Sequence, residues 1–199
     1  MSDLVICDDG LARPTWAVVD TLHRDYYDNE WGNPVRDEAG VFERLALEGF
    51  QSGLSWAVVL RKRERFREVF HGFDVDTVAA FTDADVDRLL ADPGIVRNRM
   101  KVLATINNAG RTQELRADGG LPALVWSFEP DDQPAPRSFA DVGVRPESVE
   151  LAKELKRRGF SFVGPVTVQA MLEAIGVVNH HLVGSHRRPE RVLEGVVSG

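Results

Sequence analysis

The pattern of apolar and polar positions along the chain predicts a protein built from helices. Val41, Leu45 and Glu48 recur at the spacing of one helical face, and the residues around Leu54 and Val58 follow the same spacing. Strict alternation of apolar and polar residues, which is typical of a half-buried strand, is not sustained anywhere. We therefore predict an all-α fold.

Capping residues and turn residues place several helix ends. Thr82, with Asp85 three residues later, is typical of a helix start, and Asp92–Gly94 with its central proline is typical of a helix end. A further helix is predicted from Arg97 to Arg116. The proline-rich stretch Glu129–Pro146 predicts a long surface loop, because the helical pattern resumes after it.

Two helices near the C-terminus are predicted to be joined by a tight hairpin. The first spans Ser148–Arg158 and is ended by Gly159, and Gly164 with Pro165 opens the second. Glycines in such a turn allow close backbone approach, and the free N–H groups at the start of the second helix can bind a phosphate. An ordinary packing corner between two helices has the same pattern, and spacing alone favours that interpretation.

Length and composition indicate one soluble domain. At 199 residues and 43% hydrophobic content, the chain can bury one core or two small helical lobes that share a cleft. We expect a single domain over residues 1–199, with about ten flexible residues at each end. The lone Cys7 excludes an intramolecular disulfide, and no secretion signal or membrane span is recognisable. These features predict a cytoplasmic protein, which we expect to be a monomer, without a membrane partner.

The distribution of charge leaves nucleic-acid binding open. The net charge of −7 argues against a globally basic nucleic-acid binder. Basic residues nevertheless cluster at four places: Arg61–Arg67, Arg97–Lys101, Lys153–Arg158 and Arg187–Arg191. Solvated helix faces explain any one cluster, and only convergence on one cleft would favour DNA.

Several ordered strings resemble one known family. These are Tyr26–Gly32 (YYDNEWG), Leu47–Trp56 (LEGFQSGLSW), Gly94–Arg97 (GIVR), Trp126–Phe128 (WSF), Arg158–Pro165 (RGFSFVGP) and Gly176–Asn179 (GVVN). Together they resemble DNA-3-methyladenine glycosylase I, from about Trp16 to Gly184. Strings of this length rarely recur in the same order by chance.

The resemblance implies a fold and a reaction. The fold would be the helix-hairpin-helix DNA glycosylase fold, with two helical lobes around a base-binding cleft. The activity implied is hydrolysis of the N-glycosidic bond of 3-methyladenine in double-stranded DNA after base flipping, which releases free 3-methyladenine without a cofactor. The hairpin residues implied to contact DNA are Gly159, Phe162, Gly164 and Pro165.

Glu48 is the candidate catalytic residue. Its phase with Val41 and Leu45 puts a carboxylate on the helix face expected to be buried, where an unpaired charge is costly. One interpretation is that Glu48 pairs with an arginine, or that the helix turns enough to expose it. The resemblance implies instead that Glu48 binds the polar edge of the extruded adenine, at N6 and N7.

Aromatic residues and one loop complete the implied site. Trp16, Tyr26 and Trp56 match the family's positions around the base, and aromatic faces attract a cationic base. Trp126 is interpreted as a core or rim anchor, and Trp31 fits either role. Gly53 and Leu54 match the loop that fills the gap in the DNA, although Leu54 could equally pack under the next helix.

Two absences describe the expected mechanism. Relatives that also cut the DNA strand carry a lysine shortly after the hairpin glycine, where this chain has Val166. Many relatives use an aspartate past the second helix, whereas this chain has no carboxylate between Glu173 and Glu190. We therefore expect a monofunctional enzyme without a strong general base, whose substrate already carries a cationic leaving group.

The chain departs from the family at a structural zinc site. Typical members hold zinc with two cysteines and two histidines, and the matching positions here are Pro14, Tyr27, His181 and Ser185. One ligand of four remains, so we predict no metal and expect Tyr27 to replace a ligand by packing. Cys7, His180 and His186 could in principle form a different metal site.

A second departure and two alternative functions remain open. The family reads Asn-Asp-His where this chain has Asn179–His181, which puts the role of the aspartate in doubt. The alternatives are a DNA-binding module that recognises damage without excising it, and a glycosylase with a shifted choice of lesion. Retention of Glu48 and of the aromatic positions favours an enzyme.

Overall fold

The computed structural model describes residues 3–188, which are mainly helical. The α-helices of this part of the chain are α1 (Thr21–Asn29), α2 (Glu38–Gln51), α3 (Trp56–Val69), α4 (Val75–Ala79), α5 (Asp83–Ala91), α6 (Arg99–Leu115), α7 (Gly120–Trp126), α8 (Pro146–Arg157) and α9 (Pro165–Ala174). Short 3₁₀ helices lie at Thr15–Val18, His71–Phe73, Arg116–Asp118 and Phe139–Asp141. The prediction of a helical fold is confirmed.

The N-terminal residues form a small hairpin, although the sequence predicted a flexible end. Strand β1 (Leu4–Ile6) pairs antiparallel with β2 (Ala12–Pro14). The buried Arg13 guanidinium donates to Asp28 at 2.7 Å and to Asp9 at 2.9 Å, which anchors the hairpin on α1. Strands of three residues are too short to produce a detectable alternation. The C-terminal end of the same prediction lies outside the described residues.

Helix α2 lies at the centre of the fold and carries Glu48. Asp37 caps its start by accepting a hydrogen bond from the Gly40 N–H at 2.8 Å. The helix packs against α3, α6, α7 and α9, so every residue from Val41 to Phe50 is buried. A helix surrounded in this way has no solvated face, and its polar residues must therefore find partners or a cavity inside the protein.

The predicted helix ends agree with the structure within a few residues. Thr82 and Asp85 form a capping box at the start of α5, and α6 begins two residues later than the predicted Arg97. The predicted loop before Pro146 contains one 3₁₀ turn at Phe139–Asp141. Among residues 3–188, no helix combines the length and the apolar character that crossing a membrane requires.

Candidate functional site

A cavity of about 440 Å³ opens between α1, α2, the start of α3 and α9. All four residues predicted to surround a base, namely Trp16, Tyr26, Glu48 and Trp56, line it. Trp31, for which the sequence left two interpretations open, lines it as well. The remaining lining residues are Val19, His23, Gln51, Ser55, Ala57, Ala170 and Glu173.

Aromatic rings form much of the cavity wall. The Tyr26 and Trp56 rings lie 5.4 Å apart between centroids, and the Trp16 and Trp31 rings meet edge to face at 5.5 Å. The electron-rich faces of such rings attract cations and stack on planar bases. Trp126 lies away from this wall and donates its ring N–H to the Val35 carbonyl, which fits its interpretation as an anchor.

Glu48 is buried at the base of the cavity without a partner. Only 6% of the residue is exposed, and it makes no hydrogen bond or ion pair with any residue between 3 and 188. Burial raises the pKa of its carboxyl to about 8, with a further contribution from the negative charge of Glu173, while Arg44 acts in the opposite direction. The group is therefore mainly protonated at neutral pH and can both donate and accept hydrogen bonds.

A network of ion pairs lies behind Glu48 and includes the nearest arginines. Arg44 donates to Glu43 at 2.8 Å and to Glu30 at 3.2 Å, and Arg63 donates to Glu30 at 2.6 Å. Burial alone would raise the pKa of Glu30, but the contacts with Arg63 and Arg44 lower it overall. These arginines are thus neutralised by acids other than Glu48.

Two further titratable residues, which the sequence did not predict, also line the cavity. Glu173 follows Ala170 by three residues on α9, and His23 precedes Tyr26 by three residues on α1. Tyr26 was predicted to lie beside the base, so its helical spacing could have identified His23, whereas Ala170 was not predicted and gave no such signal for Glu173. His23 is fixed by Asp20, whose carboxylate lies 2.7 Å from Nδ1.

The predicted hairpin between α8 and α9 is present and is anchored on α6. Gly159 and Phe162 both have positive φ, of 85° and 57°, so the chain turns sharply at each. Asn107 donates to the Gly159 carbonyl at 2.8 Å, and Asn108 exchanges two hydrogen bonds with Ser161. The Phe162 side chain is left 37% exposed.

The start of α9 offers free backbone donors. Gly164 occupies the N-cap position without a side-chain hydrogen bond, and Pro165 is the first helical residue. Pro165 has no N–H and Val168 donates to the Gly164 carbonyl, so the N–H groups of Val166 and Thr167 lack a partner within the helix and are available to an anion.

The loop between α2 and α3 lies next to this helix start. Gly53 has φ of 78°, and Leu54 is 41% exposed, so Leu54 does not pack under α3. Lys101 of α6 holds the loop by donating to the carbonyls of Phe50 and Ser52, at 2.8 and 2.6 Å. A shallow groove joins this loop to the start of α9 and to the cavity; it is lined by Glu48, Gln51, Ser52, Gly53, Leu54, Val166, Thr167 and Ala170.

The basic clusters around Arg63 and Arg157 are largely paired with acidic side chains. In the cluster around Arg63, each arginine pairs with an acid, as in the contacts of Arg61 with Asp20 and of Arg65 with Asp92. In the cluster around Arg157, Glu154 binds both Arg157 and Arg158. These two clusters therefore do not present a row of free cations.

The residues at the family's zinc positions do not fit zinc. Tyr27 is fully buried and its ring packs against Trp16, Trp31 and the histidines His181 and His186. Burial and the nearby arginines lower the pKa of His181 to about 4, so its ring is neutral. A lone imidazole with a phenol, a hydroxyl and a proline is not a zinc donor set.

The alternative metal ligands are also engaged elsewhere. His180 contacts Glu173, and His186 contacts Asp28 and the Ala12 carbonyl. Within residues 3–188, no three histidine, cysteine or acidic residues are grouped as metal ligands.

The fold and the cavity are those of a helical DNA glycosylase. The chain belongs to the Methyladenine glycosylase family, whose model matches residues 16–188. It is 42% identical to DNA-3-methyladenine glycosylase 1 of Escherichia coli over 179 residues, which is 87% of this chain and 95% of that protein.

Solved structures support the same assignment. A crystal structure of 3-methyladenine DNA glycosylase I superposes with a TM-score of 0.84 at 41% identity, covering 88% of this chain and 98% of the other. A Staphylococcus aureus 3-methyladenine DNA glycosylase I, studied for its recognition of 3-methyladenine, superposes at 0.81 with 36% identity, covering 87% and 94%. The family resemblance derived from the sequence strings is thereby confirmed.

Proposed function

We propose that this chain acts on double-stranded DNA by turning a 3-methyladenine base into the cavity that Glu48 closes. As a member of its family, the chain is a DNA-3-methyladenine glycosylase of base-excision repair. The proposal assigns residues to that activity. We further propose that the enzyme works as a monomer, as one domain over residues 1–199, in the cytoplasm and without metal or cofactor.

The observation that carries the proposal is the unpaired, buried Glu48 in an aromatic cavity. Adenine presents an N6 amino donor and an N7 acceptor on one edge. A protonated carboxyl accepts from N6 through its carbonyl oxygen and donates its proton to N7. The raised pKa of Glu48, about 8, keeps that proton in place at neutral pH.

Aromatic side chains would hold the plane of the base. Trp16, Tyr26 and Trp56 surround the space above Glu48, and a methylated base that is still attached to deoxyribose carries a positive charge. Contact with these rings offsets the free energy lost when the base leaves the stack.

The hairpin and the α2–α3 loop would hold the DNA. The free N–H groups after Gly164 and Pro165 bind a backbone phosphate, and the turns at Gly159 and Phe162 let the backbone approach closely. Leu54, presented by the turn at Gly53, fills the gap that the flipped base leaves. The α2–α3 loop and the start of α9 border the groove that leads to the cavity.

Hydrolysis needs little activation because the leaving group is already a cation. The bond between N9 and the sugar C1′ breaks with its electron pair going to N9, the oxygen of a water molecule bonds to C1′, and a proton is released to solvent. Val166 stands where a strand-cutting relative has lysine, so no Schiff base forms. Positioning and electrostatic stabilisation supply the remaining acceleration.

A base-release assay tests the proposal. Methylated double-stranded DNA is incubated with the protein, and the liberated purines are separated and identified. Free 3-methyladenine is the expected product. Release of a different purine would indicate a shifted choice of lesion, and binding of damaged DNA without release would indicate a recognition module.

A second arm tests for strand cleavage. Borohydride is added during turnover, with a strand-cutting glycosylase on its own substrate as the positive control. We expect no covalent adduct between this protein and DNA, and an adduct would contradict the monofunctional mechanism.

A further inference from the structure

Contact with Glu48 does not by itself distinguish damaged from normal adenine. The N6 and N7 groups that Glu48 would bind are present in both bases. Undamaged adenine is far more abundant in DNA, so a second feature of the cavity must act against it. Before cleavage the two bases differ in the N3 methyl group and in charge, because only the methylated nucleotide is a cation.

We propose that Glu173 is the specificity-determining residue that makes the cavity prefer a positively charged base over a neutral one. The proposal rests on the function proposed above. It assigns to Glu173 a selective role that is separate from the contact of Glu48 with the base edge.

The position of Glu173 is well fixed for this role. Its carboxylate accepts a hydrogen bond from Gln169 Nε2 at 2.7 Å and lies 2.7 Å from His180 Nδ1. The side chain is 18% exposed, so the carboxylate reaches the cavity from α9 without being free in solvent. A charge held in this way is weakly screened and acts over a longer range than a surface charge.

Among the described residues, the group in direct contact with the Glu173 carboxylate that can carry a positive charge is His180, which follows α9. Among the described residues that line the cavity, none is a lysine or an arginine. Glu48 faces Glu173 from α2, and His23 and Tyr26 face it from α1. Arg44 is held by Glu43 and Glu30, and Arg63, whose guanidinium lies 5.5 Å from the Tyr26 ring centroid, is held by Glu30.

This arrangement penalises a neutral base and favours a cation. A neutral base would displace water from Glu173 and leave the carboxylate poorly solvated, whereas a cationic base supplies an opposite charge together with the aromatic faces. After the N9–C1′ bond breaks, the bonding pair cancels the charge of the base. The product therefore loses the attraction that held the substrate, which favours its release.

The experiment compares a cationic and a neutral ligand on matched variants. The probes are 3,9-dimethyladeninium, a permanent cation in which a methyl group replaces the deoxyribose, and free 3-methyladenine, which is mainly neutral at pH 7, where Glu48 keeps its proton. Calorimetry gives both dissociation constants for the native protein, Glu173→Gln and Glu173→Asp. Glu150→Gln, which removes an exposed carboxylate from α8, is the control for the change in net charge.

We expect Glu173→Gln to reduce the preference for the cation by about tenfold, a size typical of losing one unit charge near a partly dry site. Glu173→Asp, which keeps the charge, should retain most of the preference, and Glu150→Gln should retain all of it. An unchanged preference in Glu173→Gln, or an equal loss in Glu173→Asp, overturns the proposal. A purely structural role would weaken both ligands equally, and the base-release assay is scored separately because these measurements need no catalysis.

Discussion

Arg44 precedes Glu48 by one helical turn, yet its guanidinium turns away and binds Glu43 and Glu30. Residues at this spacing on a helix commonly form ion pairs. Here the pair does not form, and among residues 3–188 no other cation replaces Arg44 at Glu48. The interpretation of Glu48 as half of a structural ion pair is therefore wrong for this protein.

Glu48 should contribute to activity more than to stability. We expect Glu48→Gln to fold normally while excision and binding of free 3-methyladenine weaken, because an amide still reaches N6 and N7 but with less favourable geometry. Glu48→Ala removes both contacts and should lose more. Melting temperature and single-turnover excision are measured on the same samples.

Glu43→Gln provides the matched control on the same helix. Glu43 is buried and pairs with Arg44 and Arg67, so its neutralisation should cost about 3–5 kcal/mol, as for a broken buried ion pair. Excision by the folded fraction should remain. The assignment of Glu48 to base binding fails if Glu48→Gln loses stability and keeps excision while Glu43→Gln keeps stability and loses excision.

The raised pKa of Glu48 predicts a pH-dependent stability difference. The pKa rises from an ordinary 4.5 to about 8 on folding, so between these values the folded state binds more protons than the unfolded state. Stability contributed by this group is complete below about pH 4.5 and is lost as the pH rises towards 8. Glu48→Gln removes this dependence.

Chemical denaturation across that pH range measures the effect. The variant should gain stability relative to the native protein by up to a few kcal/mol as the pH increases. If the difference in unfolding free energy between the variant and the native protein stayed constant across this pH range, Glu48 would not be protonated in the folded protein.

Tyr27 should stabilise the terminal segments without zinc. Its ring is fully buried among Trp16, Trp31, His181 and His186, so Tyr27→Ala should cost about 3–5 kcal/mol, as large-to-small core substitutions do. Tyr27→Phe keeps the ring and should cost about 1 kcal/mol or less, because it removes only the hydroxyl, which approaches Ser185. Denaturant titrations give both values.

Chelation and zinc analysis test for metal. Chelators should leave the melting temperature of the native protein unchanged, and the purified protein should contain no stoichiometric zinc. A zinc-to-protein ratio near one would show that other residues bind metal.

Leu54 should matter for DNA and not for folding. Leu54→Ala removes an exposed side chain, so the free energy of unfolding should stay within about 0.5 kcal/mol of the native value. Excision from duplex DNA should fall severalfold, while binding of the free base is unchanged because Leu54 does not line the main cavity. Leu11→Ala, an equally exposed leucine between β1 and β2, is the control and should alter neither property.

The sequence predicts the helices well because a helix and its ends depend on residues close together in the chain. The capping box at Thr82 and the glycine after α8 each satisfy backbone groups of the adjacent turn, and both act where the pattern indicated. The base-surrounding residues came from the family resemblance, since no periodicity reveals that Trp16 and Trp56 meet across a cavity. Their meeting depends on packing between helices that are distant in sequence.

The two cavity residues that the sequence did not predict were missed for the same physical reason. Glu173 and His23 are polar positions on helices whose other faces are buried, a pattern that also describes ordinary solvated positions. The sequence also could not show that Glu48 lacks an ion pair, because several arginines could have reached it. Only the packing around α2 directs them to Glu30 and Glu43.

Helix α6 carries the anchors of two separate elements. Lys101 holds the α2–α3 loop, and Asn108 holds the hairpin, seven positions further along. At the helical rise per residue this separation is about 10.5 Å along the axis of α6. The helix thus fixes the position of the α2–α3 loop relative to the hairpin. Substitutions on its outer face leave that distance intact, whereas inserting or deleting one residue between the anchors would rotate one element about 100° away from the other.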